Sequence, residues 1–397
     1  MEMHDLVDIL HQVLMAAVRE DASDVYIRSG IAPCLRIEGT LAYVDMEPLS
    51  EVMAEAICHL VMKPTHREGF ERRPESNLVY YVPEIGRFRC NVYRQRGAMA
   101  MVMRKVRDDI LDFEALRIPD VAKELSLTKR GLVLVTGPTG SGKSTTLAAM
   151  VKYRNENSSG HIVTIEDPIE YLHTDIGCIV SQREVGSDTM SFADALESAL
   201  RQAPDVLLIG EMRDPESVRA AVYFAETGHL VLSTLHSNNT TQTVERIVQF
   251  FPTEIHEQIY AQLSLNLRAV VSQRLIPRKD GQGRVAAVEV MKVNARVQEL
   301  LHNAELTQLK RELDLFGPEG MQSFDASLLH LYRDGLVSAE DAVRFSDNAN
   351  DMRLKLKTMP VYIKSSGRED PRYQDTPHPS VRGCGGDESR GDSSGGG

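Results

Sequence analysis

The sequence predicts an α/β protein in two parts: a small α+β domain, then a larger domain on a mostly parallel sheet that ends in helices. Three observations carry this reading. Short strand-like runs punctuated by Gly30, Pro33 and Gly39 fill the first hundred residues. Short, largely apolar runs at 132–135, 162–165, 206–209 and 230–232 then alternate with helical stretches, the pattern of strands covered on both faces. The first of these runs leads straight into a glycine-rich turn and a helix.

Leu6, Leu10, Val13, Leu14 and Ala17 recur at helical spacing, so residues 4–20 predict an amphipathic helix. Strands follow at 25–27, 34–37 and 41–44, then a helix over 50–63 that stops at Pro64. Three antiparallel strands, 78–82, 86–93 and 98–104, close a first domain of residues 1–107. A linker is expected at 108–118 and the second domain at 119–358, with helices near 143–154, 191–202 and 214–226. Further helices are expected around 253–271, 294–302, 305–314, 323–334 and 338–347. Gly, Ser, Pro and Asp crowd residues 359–397, a composition that cannot bury enough apolar area to offset its ordering entropy, so this tail is expected to be disordered.

The chain has 397 residues, 42% of them hydrophobic and 26% charged, with a formal net charge of -12. No apolar run approaches the ~20 residues that span a bilayer. The first residues carry acids and histidines rather than a basic segment before an apolar one, so direct membrane insertion is not expected and the chain should be cytoplasmic. The acidic balance, without a basic and aromatic-rich stretch, argues against nucleic acid as a partner. Cysteines 34, 58, 90, 178 and 384 are scattered, with no Cys-x-x-Cys pair, which argues against a disulfide framework or a zinc knuckle.

Gly137, Pro138, Thr139, Gly140, Ser141, Gly142, Lys143 and Ser144, followed by Thr145, fit G-x-x-x-x-G-K-[ST]. The glycines let successive backbone N–H groups turn inward on phosphate oxygens, and the helix start adds a favourable dipole. Lys143 is placed for the β- and γ-phosphates of ATP and Ser144 for Mg²⁺. Such a match arises by chance in about one chain in a hundred of this length. The apolar strand 206–209 ends on Gly210 and Glu211, so Glu211 is a candidate for polarising the attacking water. Glu166, Asp167 and Glu170 follow another strand, at the end where parallel sheets bind ligands. His229 and His236 flank the strand 230–235; one is expected to read the γ-phosphate and the other to pack or meet a neighbour. Arg87, Arg89, Arg94, Arg96 and Arg104 crowd the last strands of the first domain, where an arginine for the phosphate site would have to come from.

Together these motifs, with Ile209 to Arg213, Ser181 to Val185 and Gly86 to Arg89, resemble the hexameric secretion and pilus motor ATPases, specifically the type IV pilus retraction (twitching motility) branch, PilT and PilU. The resemblance covers about residues 5–358. It implies a PAS-like first domain, a RecA-like ATPase domain and a hexameric ring with ATP and Mg²⁺ between subunits. By the same resemblance Glu211 is the catalytic base, Glu166 and Glu170 form an acidic box, His229 and His236 a histidine box, and Arg89, Arg96 and Arg104 reach the site. Ala295 to Leu301 departs from the Ala-Ile-Arg-Asn-Leu-Ile signature of the PilT branch, and 153–160, 201–205 and 347–351 look PilU-like. The implied partners are further copies, a PilT-type ATPase and an inner-membrane pilus platform protein, which would hold the chain at the membrane periphery. The alternative is a nucleotide-binding partner that stabilises or remodels a PilT-type ring without being a motor.

Overall fold

The computed structural model describes residues 3–37, 39–106, 109–315 and 320–358. The expected tail at 359–397, with Cys384, lies outside them. Two sheets organise the chain. The first is six-stranded and antiparallel, built from β1 (Asp24–Arg28), β2 (Cys34–Ile37), β3 (Thr40–Tyr43), β4 (Glu75–Val82), β5 (Gly86–Gln95) and β6 (Ala98–Lys105) in the order β3-β2-β1-β6-β5-β4. Helices α1 (Met3–Arg19) and α2 (Glu51–Val61) lay Leu10, Leu14, Ile57 and Cys58 onto this sheet, around the fully buried Phe88. Ser50 caps α2 by accepting a hydrogen bond from the Met53 N–H. The expected stop at Pro64 is instead a start: α2 ends at Val61, and Pro64 opens α3 (Pro64–Arg72), where its missing N–H costs no helical bond.

The second sheet has seven strands: β7 (Gly131–Thr136), β8 (Gly160–Glu166), β9 (Cys178–Glu184), β10 (Val206–Ile209), β11 (Leu230–Leu235), β12 (Leu267–Pro277) and β13 (Arg284–Lys292). Their order is β13-β12-β7-β11-β10-β8-β9, every neighbouring pair parallel except β12 with β13. Between them run α4 (Phe113–Leu116), α5 (Val121–Ser126), α6 (Lys143–Asn157), α7 (Phe192–Ala199), α8 (Pro215–Glu226), α9 (Thr240–Gln249) and α10 (His256–Asn266). The chain continues through α11 (Ala295–His302), α12 (Leu306–Leu315), α13 (Phe324–Arg333), α14 (Ala339–Phe345) and α15 (Ala349–Thr358). Leu132 and Leu134 of β7 enter one core with α7, α8 and α9; Val133 and Val135 enter the other with α5 and α6. Central strands covered on both faces read as largely apolar runs, the pattern of β7, β8, β10 and β11.

The helix expected over 253–271 ends at Asn266, and the chain continues as β12 beside β7. Ile259, Leu263, Leu267 and Val270 keep a helical spacing past that point, but pairing with β7 and β13 wins over local periodicity. Strand β9 and helices α9 and α15 likewise have no counterpart in the sequence reading. The expected linker carries α4, and Phe113 and Ile118 are buried in the core that holds α6. Cys34, Cys58, Cys90 and Cys178 are free and buried, and burial pushes the Cys58 thiol up to about 12. Among the described residues no helix is long and apolar enough to cross a membrane.

Phe88→Ala tests the first core. Removing a ring that is 0% exposed costs about 3–5 kcal/mol, read as a lower urea midpoint; an unchanged midpoint contradicts the packing described.

Candidate functional site

Strand β7 ends at Thr136 and the chain turns through Gly137–Gly142 into α6. Gly137 has to be glycine. Its φ is +147°, and a Cβ there would fall 2.4 Å from both the Gln273 carbonyl oxygen and Ser141 Oγ. Gly142, at φ +91°, caps α6 and leaves its first N–H groups facing the turn. Lys143 is only 9% exposed. Its Nζ donates to the carbonyls of Gly137 at 3.0 Å and Pro138 at 3.1 Å, and lies 3.5 Å from His236 Nδ1. Burial pulls the Lys143 ammonium below the ordinary lysine value, against the opposing charges of Glu211 and Glu170.

Because β7, β8, β10 and β11 run parallel, their carboxyl ends gather on one edge of the sheet, and the functional side chains gather with them. Glu211 follows β10, and its Oε1 sits 3.0 Å from Nε2 of His236, which follows β11. Arg213 donates through Nε to Glu211 Oε2 at 2.7 Å. Glu166, at the end of β8, accepts from Thr164 Oγ1 at 2.7 Å and Gln182 Nε2 at 3.2 Å. Burial still pushes its carboxyl above the usual range. Glu170 is exposed on the same edge. These groups line a cleft of about 540 Å³ with Ser144, Thr145, Tyr171 and His173.

The first sheet supplies the opposite wall. Arg89, Arg104 and Lys105 line the cleft. Arg104 is held by Asp24, with Nη2 2.7 Å and Nε 3.0 Å from Oδ1. Arg87 places Nη2 3.9 Å from Oε2 of the buried Glu184, which also accepts the Ile169 N–H at 3.2 Å. Arg89 is half-buried, its guanidinium pulled down by burial against the attraction of Glu184, Glu170 and Asp167.

Outside the phosphate loop, four candidates do not line the cleft of their own chain. Arg87 turns to Glu184 instead, and Arg94 donates through Nη1 to the Gly97 carbonyl at 2.7 Å. Arg96 occupies the turn between β5 and β6 at φ +53°. It lies seven positions along the chain from Arg89, about 23 Å at ~3.3 Å per residue. His229 precedes β11, and its carbonyl accepts the Gly131 N–H, at the amino end of β7. Its Nδ1 lies 3.1 Å from both Thr227 Oγ1 and the Phe224 carbonyl, and its ring packs edge-on against Phe224. Of the two histidines, then, His236 faces the cleft and His229 packs.

Several residues in the cleft or packed behind its loop had no assigned role in the sequence. Tyr171 OH pairs with Thr145 Oγ1 at 2.8 Å. Gln273 of β12 donates to Thr146 Oγ1 at 2.8 Å, while its own Oε1 and Ser141 Oγ are buried without a partner among the described residues. Thr136 Oγ1 joins Ser272 Oγ at 2.6 Å and accepts from Thr243 Oγ1 at 3.2 Å, tying the turn to β12 and α9. Gln273 and Ser272 reach the loop only because the chain runs as β12 beside β7. Among the described residues no three His, Cys, Asp or Glu side chains form a group that could hold a metal ion.

A glycine turn between a parallel strand and a helix, a buried lysine inside it and a carboxylate just past the end of β10, two strands away in the same sheet, define a P-loop ATPase. The chain belongs to the type II/IV secretion system protein family, whose sequence profile matches residues 2–316. It is 46% identical to the type IV pilus ATPase PilU of Pseudomonas aeruginosa, over 87% of this chain and 91% of that one. It is 41% identical to the type IV pilus retraction ATPase PilT of the same organism, over 83% of this chain and 96% of that one. A crystal structure of the pilus retraction motor PilT with bound ADP superposes with a TM-score of 0.81 at 41% identity, covering 86% of this chain and 98% of that one.

Burial pushes the His173 imidazole down to about 4 from its ordinary 6.5. Folded, it stays neutral where the unfolded chain takes up a proton, so this stability is present above pH 6.5 and lost as pH falls towards 4. Glu166 and Glu184, pushed up by burial, act with the opposite sign. His173→Gln is expected to flatten the fall of the urea midpoint across that window; equal slopes would show that His173 is not held neutral.

Proposed function

We propose that the chain is an ATP-hydrolysing motor of type IV pilus retraction and twitching motility, working as a hexameric ring on ATP with Mg²⁺. The observation that carries it is one run of contacts at the carboxyl ends of β7, β10 and β11, from Lys143 through His236 to Glu211. Lys143 would exchange its two carbonyl partners for β- and γ-phosphate oxygens, an exchange that its burial favours because a desolvated ammonium gains most from a doubly charged partner. The turn 137–142 would present its N–H groups to the same oxygens. Glu211 would orient the attacking water, and His236, touching both Glu211 and Lys143, would register whether a γ-phosphate is present.

The residues present fit a Mg²⁺ ion held by the Ser144 hydroxyl and the phosphates. Such an ion keeps much of its water shell and needs one or two protein ligands, and Glu170 and Asp167 line the same cleft to receive those waters. Bound there, it would neutralise charge developing on the β- and γ-oxygens. Glu166, tied down by Thr164 and Gln182, would hold the shape of the acidic loop. Arg89 and Arg104 would bring positive charge from the first sheet as the two layers close.

In this reading residues 1–107 are the PAS-like domain and 119–358 the RecA-like domain, joined through 108–118. Contact with the inner membrane would run through a pilus platform protein, leaving the chain cytoplasmic and peripheral. The higher identity to PilU than to PilT and the divergent stretch at 295–301 favour an accessory motor that works beside a PilT-type ring.

Lys143→Ala is expected to abolish ATP turnover by the purified chain; retained turnover sinks the proposal. Glu211→Gln should keep nucleotide affinity within about threefold while lowering turnover about 10²–10⁴-fold. Restoration of twitching by Glu211→Gln in a deletion strain would instead support the non-motor role.

A further inference from the structure

Both oxygens of the Glu211 carboxylate are occupied. Oε1 lies 3.0 Å from His236 Nε2. Oε2 receives two arms of one guanidinium, Arg213 Nε at 2.7 Å and Nη2 at 2.7 Å. The third arm, Nη1, stands 3.9 Å from Asp167 Oδ2 on the acidic loop. The Arg213 side chain is 58% exposed while that of Glu211 is 18% exposed. An ion pair so open to water adds little to folding stability. What it does impose is a direction: with Oε2 on the Arg213 fork and Oε1 on His236, the two oxygens are held by different partners, and together these set the carboxylate plane.

That constraint matters at this position. Glu211 stands just past Gly210, at the end of a four-residue strand, on a side chain with three rotatable bonds. His236 alone would be a poor anchor for it. Its other ring nitrogen faces Lys143 Nζ at 3.5 Å, so it is coupled to whatever the lysine binds. Arg213 holds the other oxygen, Oε2, and among the described residues its guanidinium contacts the carboxylates of Glu211 and Asp167.

We propose that Arg213 is a positioning residue for ATP hydrolysis: its guanidinium fork holds Glu211 in the orientation from which it directs water at the γ-phosphate. The proposal rests on Glu211 being the water-orienting group. A misplacement of about 1 Å at such a group costs roughly 10²-fold in rate. Lysine would restore the charge of Arg213 but not its two-point grip.

The test is steady-state ATP hydrolysis by the full chain carrying Arg213→Ala, Arg213→Lys, Glu211→Gln, or Arg213→Ala with Glu211→Gln. Arg213→Ala is expected to lower kcat about 10–100-fold, with KM for ATP within about threefold and an unchanged melting temperature. Arg213→Lys should recover only a small part of the loss. On the Glu211→Gln background, Arg213→Ala should change the residual rate by less than about twofold, since a residue acting through Glu211 has nothing left to position. A raised KM with unchanged kcat would mean that Arg213 binds phosphate and would overturn the proposal. So would full additivity of the two substitutions, or a kcat loss matched by a fall in melting temperature. Wild-type turnover by Glu211→Gln would overturn the reading of Glu211 itself, and is distinguishable because it does not depend on Arg213.

Discussion

Lys143 sits nine-tenths buried with its ammonium resting on two carbonyls of its own loop, Gly137 and Pro138. Much of the site follows from that arrangement. A buried cation needs partners, and neutral carbonyls are the weakest that suffice. The loop is therefore shaped around a charge that prefers an anion. Gly137 must approach the Gln273 carbonyl more closely than any side chain permits, which ties the loop to β12. Hydroxyls of Thr136, Ser272 and Thr243 lock the same corner from below. Contacts and hydrogen bonds to β12 and α9 thus tie down the loop of the proposed phosphate site.

Around this fixed point the other groups differ in how firmly they are held. Glu166 is embedded by Thr164 and Gln182, and Glu184 by the Ile169 N–H. Glu211, His236 and Arg213 instead hold one another, across contacts that a phosphate at Lys143 would disturb through His236. The first sheet touches this part of the molecule through Arg87 and Glu184, and lines it with Arg89 and Arg104. Charge entering the cleft is thus seen by both sheets. On the proposed function, a coupling of that kind would carry a local electrostatic event into movement between layers.

Much of this was legible in the sequence, and the exceptions have physical causes. The phosphate loop was readable because few residues can make that turn, and its neighbours because a twice-covered strand is largely apolar. Strand β12 was hidden because Ile259, Leu263, Leu267 and Val270 continue a helical spacing across the true helix end at Asn266, and only pairing with β7 breaks it. With β12 hidden, Gln273 and Ser272 had no place beside the loop. Arg96 and Arg89 look equivalent in sequence, yet seven positions along the chain put them far apart. His229 and His236 separate in the same way, one at each end of β11. Arg213 stood in view two residues from Glu211, but sequence spacing alone does not say which way a guanidinium points.

The central claim is that one nucleotide is enclosed by both sheets. Hydrogen–deuterium exchange of the full chain, with and without a slowly hydrolysed ATP analogue and Mg²⁺, tests it most directly. The account predicts slowed exchange at 137–147, 166–171, 210–213 and 236–239 of the second sheet's edge, together with 87–89 and 104–106 of the first. Protection confined to the second sheet, with 87–89 and 104–106 unchanged, would contradict it.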